Sequence, residues 1–305
     1  MGKYIIKRIA ASALTLFIVM SITFFLIRAI PGGPFTEEKN IPPEVMQMVM
    51  EKYKLNDPLY KQYIDYVSDA ARLNLGPSLK YEGRTVNDII AESFPVSAKI
   101  GALAILIALA AGIPLGVLAA IKRGTIWDKI TSIFSIVGVT IPNFVIATIL
   151  IYILVLKLKV ISVGVTSSFT DMIPAAVTLA GFPMAYISRI VRSSMLEVIQ
   201  QDYIRTARAK GMLENKVIFV HALRNALMPV LTYMGPLVAG ILTGSFVVEQ
   251  VFSIPGIGTY FVTSIQDRDY TTIVGVTIFY SFLLITFNLI VDILYAALDS
   301  RINLE

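Results

Sequence analysis

The sequence predicts an all-α membrane protein: six transmembrane helices, with a helical extracytoplasmic segment between the first two. Three observations carry that prediction. Of 305 residues, 56% are hydrophobic and 15% charged, with mean hydropathy +0.73, whereas an ordinary soluble domain carries about 25% charged residues. Six stretches (9–30, 96–121, 130–156, 173–194, 226–248 and 271–297) are apolar over the roughly 17–25 residues needed to cross a bilayer core. The basic residues between them alternate in density. A soluble globular enzyme is excluded.

The first span follows Lys3, Lys7 and Arg8 as a secretory leader would. Its apolar run is too long for a cleaved leader, and it ends at Arg28, Pro31 and Gly32 without a small-x-small cleavage pattern. A retained helix is expected. Lys and Arg number 14 in the N-terminal tip, residues 122–129, residues 189–224 and the C-terminal tail, against three in 157–172 and 249–270. By the positive-inside rule both termini lie in the cytoplasm. The net charge of +5 and pI near 9.2 are explained by this topology, so no nucleic-acid partner is expected. The chain has no cysteine, which removes disulfides and thiolate chemistry.

Residues 31–95 hold ten acidic and seven basic residues, as fits an outer segment. Pro42-Pro43 opens a stretch with Val45, Met48 and Val49 on one helical face. Asp57-Pro58 opens another with Tyr60, Tyr63, Ile64 and Val67 in step, and Thr85 caps a third with Val86, Ile89, Ile90 and Phe94 along one side. The expected organisation is a cytoplasmic tip and first span at 1–30, an extracytoplasmic helical segment at 31–95, and a core domain at 96–305 with a loop at 197–225.

Ionisable groups near the bilayer centre mark functional sites in pumps, and this chain offers almost none. Arg28 and Lys99 lie near outer helix ends, Arg189 and Arg192 near an inner one, and Asp292 is the acid within a span. Ala104, Ala108, Gly112, Gly116 and Ala120 form a stripe of small residues at four-residue spacing, and Gly240 and Gly244 repeat the device. Small residues let helix backbones approach closely, within the chain or against a partner subunit. Pro114, Pro142, Pro174, Pro183, Pro229 and Pro236 fall in or beside spans, each as a hinge or a static bend. Thr243, Ser245, Thr286 and Asn288 are small or polar groups able to line a path.

The segment 197–229 is too polar to enter lipid. Residues 202–210 read as a short helix with Asp202 at its N-cap, Tyr203, Arg205, Thr206, Ala207, Arg208, Ala209 and Lys210 along it, and Gly211 as a left-handed cap. A second helical stretch from Asn215 leads back to the membrane past His221 and Arg224. By residue chemistry alone, the short helix fits equally a lever pushed by a cytoplasmic partner or an amphipathic helix lying on anionic headgroups.

RTARAKG at 205–211 followed by HALRNALMPV at 221–230 resembles the cytoplasmic loop of permease subunits of binding-protein-dependent ABC importers. The likeness continues through YIIKRI at 4–9, PGGPF at 31–35, LNDPLYKQY at 55–63, GPSLKYEGRTVNDIIAESFPVSAK at 76–99, GSFVVEQVFSIPGIG at 244–258 and NLIVDILYAALD at 288–299. These are similar to the OppB-type permeases of the oligopeptide branch, with dipeptide and nickel permeases as neighbours. Arg205-Thr206-Ala207 stands where the general motif has Glu-Ala-Ala, so a salt bridge of that glutamate does not carry over.

The resemblance implies the type I ABC importer permease fold in a prokaryotic plasma (inner) membrane. It implies import of oligopeptides together with an OppC-like second permease, two ATPases (OppD- and OppF-like) and an OppA-like extracytoplasmic peptide-binding protein. Residues 202–216 would then couple to an ATPase. The chain has no GxxxxGK[ST] phosphate loop, so no cofactor is expected on it, and ATP and magnesium belong to the partners. A stand-alone secondary transporter and a structural or signalling membrane protein are the competing readings.

Overall fold

The computed structural model describes residues 2–30, 34, 43–161, 164, 169–242 and 244–298, with backbone alone at 2–5, 43, 45, 292 and 294–298. The PGGPF motif apart from Pro34, Thr243, and the side chain of Asp292 lie outside the described residues. Helices α1 (Gly2–Ala29), α2 (Pro43–Lys52), α3 (Leu59–Ala71) and α4 (Val86–Ile121) come first. Pro43 opens α2 as its first residue and Pro58 immediately precedes α3. Both use a residue whose missing N–H has no helical partner at that position. Thr85 begins α4 with a reciprocal cap. Its hydroxyl accepts the Asp88 N–H at 3.1 Å and the Asp88 carboxylate accepts the Thr85 N–H at 3.0 Å.

The third outer helix anticipated after Thr85 is therefore the opening of the second span. At 36 residues α4 is about 54 Å long at 1.5 Å per residue, well beyond a hydrocarbon core of about 30 Å. The third span also departs from expectation. It consists of α5 (Ile126–Thr140), α6 (Asn143–Ile151) and a π-helical stretch Tyr152–Lys157, bent by 99° between α5 and α6. Pro142 disfavours helical backbone at the residue before it, and Ile141 is extended at φ −76°, ψ 123°. Pro174, Pro183 and Pro236 leave their helices continuous.

Next come α7 (Phe169–Val198), α8 (Asp202–Ala209), α9 (Glu214–Lys216), a π-helical stretch Val217–Ala222, α10 (Leu223–Ala226) and α11 (Met228–Leu242). The last three are α12 (Phe246–Val251), α13 (Ile257–Gln266) and α14 (Tyr270–Leu298). Among the described residues five stretches have the length and apolarity of a span, and the bent pair counts as a sixth if it is one span.

The chain forms two compact units, Met1–Val96 with Pro255–Ile285, and Ser97–Ile254 with Thr286–Asn303. In the first, Met20, Phe24 and Ile27 of α1 bury against Tyr66 of α3 and Tyr270, Ile273 and Val274 of α14. Tyr63, Val67 and Ala70 join that core, while Tyr60 and Ile64 are exposed, so α3 turns a different edge inward from the stripe its spacing suggested. Asp269 ties the unit together. It is 1% exposed and accepts from the hydroxyls of Ser78 (2.5 Å) and Thr272 (2.7 Å) and from the N–H groups of Leu79 (3.1 Å) and Thr272 (3.2 Å). One carboxylate thus caps α14 and pins the 78–79 turn, nearly two hundred residues away in sequence.

In the second unit α5, α6, α10, α11 and α12 all pack on α7. The small residues at 104, 108, 112, 116 and 120 are all buried. A Cβ on Gly112 would sit 2.8 Å from the Met184 carbonyl oxygen, and one on Gly116 would sit 2.5 Å from that of Ser188 and 2.7 Å from Val191 Cβ. Gly112 and Gly116 of the stripe therefore meet α7 of the same chain. Gly240 and Gly244 do not repeat it. Helix α11 ends at Leu242, Gly244 lies beyond it at φ +83°, and a Cβ on Gly240 would meet nothing within 4 Å.

Gly116→Val is expected to destabilise the chain by about 2 kcal/mol or more, since backbone cannot yield to the added carbons, while Gly240→Ala leaves stability within about 0.5 kcal/mol. Thermal unfolding of the detergent-purified chain checks both. Asp269→Ala strands buried hydroxyl and amide donors at a cost of about 2–4 kcal/mol, and limited proteolysis should then open residues 72–85 first.

Candidate functional site

The polar segment after α7 is built on two anchors. Helix α8 buries Ile204 (0% exposed) and Ala207 (8%), three residues apart and so on one face, and packs on the π-helical stretch Val217–Ala222. The Tyr203 hydroxyl accepts from the Asn225 side chain at 2.7 Å, a second tie to the helical run that leads into α11. The remaining residues of the helix, Asp202, Arg205, Thr206, Arg208 and Ala209, are exposed, as are Lys210 and Gly211.

Gln201, rather than Asp202, is the N-cap; Asp202 is the first helical residue, within 3.3 Å of Arg205. An acidic residue there faces the positive end of the helix. Gly211 has φ +74°, the left-handed conformation that lets the chain turn sharply after Lys210. Arg208 spans that turn, donating to both carboxylate oxygens of Glu214 at 3.1 and 2.6 Å. The guanidinium holds the Glu214 carboxyl below its usual range. His221 is half-buried, and its Nε2 has no hydrogen-bond partner among the described residues.

Above this loop, Arg192 of α7 donates to both oxygens of Asp128, at 2.7 and 3.0 Å, and the Gly124 N–H reaches the same carboxylate at 2.9 Å. A paired fork of this kind has fixed geometry, and it locks the 122–125 turn and α5 to α7. Arg189, one turn earlier, is exposed.

A cavity of about 380 Å³ opens between α6, α7 and α11, lined by Asn143, Phe182, Pro183, Tyr233, Gly240 and Ser245 among others. Tyr186 bridges its two aromatic lining residues, Phe182 and Tyr233. Phe182 stacks on Tyr186 at 6.1 Å and 7°, and Tyr186 lies 4.6 Å from Tyr233. Of the path candidates, Ser245 lines this cavity, Asn288 packs close against Gly235 of α11, and Thr286 is half-buried. Beside the cavity's Gly244 lies a residue that sequence reasoning missed. Glu249 is 3% exposed and accepts from the Ser97 hydroxyl at 2.7 Å, in space that a side chain on Gly244 would take. The signal was the glutamate inside the apolar run FVVEQVF, which lies just past the span boundary at 248.

Residues 112–304 match the profile of the binding-protein-dependent transport system inner membrane component, and residues 1–104 match that of its N-terminal region. The chain belongs to this family. It is 47% identical to the dipeptide transport system permease protein DppB of Bacillus subtilis, over 100% of this chain and 99% of that one. It is 45% identical to the oligopeptide transport system permease protein OppB of Haemophilus influenzae, and 46% to that of Salmonella typhimurium, in each case over 99% of this chain and 100% of the relative. These identities do not separate the two branches. A chain of the MetNI methionine ABC transporter, in inward-facing conformations, shares the fold at TM-score 0.54 and 16% identity, covering 69% of this chain and 96% of that one.

In this permease family member the loop pair is a sharp test of α8. Arg208→Glu breaks the bond across Gly211 and sets two carboxylates face to face. Exchanging the pair, Arg208→Glu with Glu214→Arg, restores the fork. The single variant should raise protease cleavage at 210–214 several-fold and the double variant should return it to the original rate.

Proposed function

We propose that this chain is a permease subunit of an ATP-driven importer that translocates peptides delivered by an extracytoplasmic binding protein. The observation that carries this reading is the exposed helix α8, anchored through Ile204 and Ala207 while Arg205, Thr206, Ala209 and Lys210 face outward. A polar helix held at one face and offered at the other is a docking element, and here it is the coupling helix for an ATPase. The full-length likeness to peptide permeases supports peptides as substrate, oligopeptides on the leading reading. The 47% identity to a dipeptide permease favours dipeptides as the second.

Both termini and the 122–125 and 199–227 segments lie in the cytoplasm, and residues 31–95 lie outside, as the basic-residue distribution requires. The assembly has a second, OppC-like permease, two ATPases of the OppD and OppF kind carrying ATP and magnesium, and an OppA-like binding protein. The cavity lined by Phe182, Tyr233 and Ser245 belongs to the translocation path. Its wall has aromatic faces, a hydroxyl and an amide but no charge, which suits a sequence-tolerant passage.

Reconstituted with those partners, the chain should support ATP-dependent uptake of labelled tetra- and pentapeptides. Uptake confined to dipeptides establishes the second reading, and flux by this chain alone under an ion gradient overturns both. Gly211→Pro and Lys210→Glu should leave membrane insertion intact and cut uptake at least tenfold while ATP hydrolysis continues. Coupling unchanged in both variants contradicts the role of α8.

A further inference from the structure

A second cavity, of about 240 Å³, lies in the first unit between α1, α3, the turn after α2 and the start of α14. Arg28 forms part of its wall. The guanidinium lies 3.6 Å over the Phe24 ring, donates from Nε to Gln62 Oε1 at 3.2 Å and from one terminal nitrogen to the Phe24 carbonyl at 3.4 Å. It lines the cavity and has no carboxylate partner among the described residues, while a guanidinium carries five N–H donors.

Tyr66, in the same wall, is an independent sign. It is 9% exposed, and its hydroxyl is buried with no hydrogen-bond partner. Burial pushes the phenol above its usual range, so it stays a donor at any working pH. A buried hydroxyl without an acceptor is costly, and here the missing acceptor and the missing counter-ion of Arg28 belong to one cavity.

The rest of the lining fixes the ligand's charge. Lys52 and Lys54 add cations to the lining, and Asp65 and Asp69 add carboxylates. Lys54 pairs with Asp65 at 3.7 Å, whereas the Asp69 carboxylate has no hydrogen bond or ion pair among the described residues. Arg28 and Asp69 thus share a cavity, each without a partner of opposite charge, and do not pair with one another. A doubly charged phosphate would face two aspartates, and a simple anion would leave Asp69 uncompensated. A molecule carrying one carboxylate and one ammonium satisfies both walls.

We propose that this cavity is a binding site for a small zwitterion, an amino acid or the free ends of a short peptide, whose carboxylate is held by Arg28 and the Tyr66 hydroxyl and whose ammonium group is held by Asp69. It is separate from the cavity of the second unit and does not rest on the transport reading.

Calorimetric titration of the purified full-length chain with trialanine tests it. Saturable binding is expected, about tenfold or more weaker for trialanine amide and for N-acetyl-trialanine, each of which lacks one charge. Arg28→Gln and Tyr66→Phe should each weaken trialanine binding about five- to tenfold, with Arg28→Lys retaining part of the affinity. Tyr66→Phe keeps the ring in the core, so it reads the hydroxyl even if Arg28→Gln fails to fold. Asp69→Asn should abolish the preference for trialanine over its N-acetyl form. Free alanine binding as well as trialanine identifies an amino-acid site, and weaker alanine binding identifies a peptide site. Failure of trialanine to bind, or affinity unchanged in both Tyr66→Phe and Asp69→Asn, overturns the proposal. Peptide uptake persisting in that event leaves the transport function standing.

Discussion

The second unit depends on one constraint: at Gly112 and Gly116, α4 must approach α7 with no side chain of its own between them. Lipid supplies no hydrophobic force to drive two apolar helices together, so van der Waals contact at short range has to do it. Gly112 and Gly116 face the backbone carbonyls of Met184 and Ser188 directly, and Gly138 of α5 makes a similar approach, since a Cβ there would lie 2.8 Å from Ala185 Cβ. Once α7 is held this closely on two sides, its other faces are free to receive α6, α11 and α12. Bulk at any of the three glycines would propagate through α7 to each of them.

Polar groups then fix what packing leaves loose. Asp128, Glu249 and Asp269 are each nearly fully buried, and each sits at or near the end of a helix rather than in its middle. Asp128 lies in the first turn of α5, Glu249 in the short α12, and Asp269 just before α14. Helix ends are where unpaired N–H groups are available to a carboxylate, and where a spanning helix leaves the costliest part of the bilayer. Each of these acids also joins residues far apart in sequence: Asp128 to Arg192, Glu249 to Ser97, Asp269 to Ser78. They act as staples at the ends of spans whose middles are held by shape alone.

Apolar run length and spacing made the spans, α2, α3 and α8 legible, because each follows from a local pattern. The direction of the small-residue stripe was not legible, since periodicity identifies a face without naming what it meets. The 99° break in the third span was half visible, as Pro142 marked the position but not the angle. The α3 core was misread because Tyr60, Ile64, Tyr63, Tyr66 and Val67 offer two overlapping apolar edges, and only contact with Phe24 selects the second. In the loop, Gly211 declared its own left-handed backbone, while the Arg208–Glu214 fork needed the turn to be known first. Arg28, placed by sequence only near the end of the first span, lies over Phe24 and donates to Gln62. Phe24 is its i−4 neighbour on α1, but no local signal specifies Gln62.

The arrangement of α8 determines how a push on it is shared. Val198 ends α7 and Asp202 starts α8, a three-residue connection too short to absorb a displacement of a helical turn. On its other side α8 is tied by Ile204, Ala207 and the Tyr203–Asn225 bond to the stretch entering α11. A displacement of α8 therefore reaches α7 and α11 together, and these two helices carry Phe182 and Tyr233 of the cavity wall. The π-helical stretch Val217–Ala222 carries the α8 contact and continues through α10 into α11. In the coupling role proposed for α8, a push on it is shared between α7 and α11, the two helices that bring Phe182 and Tyr233 to the cavity.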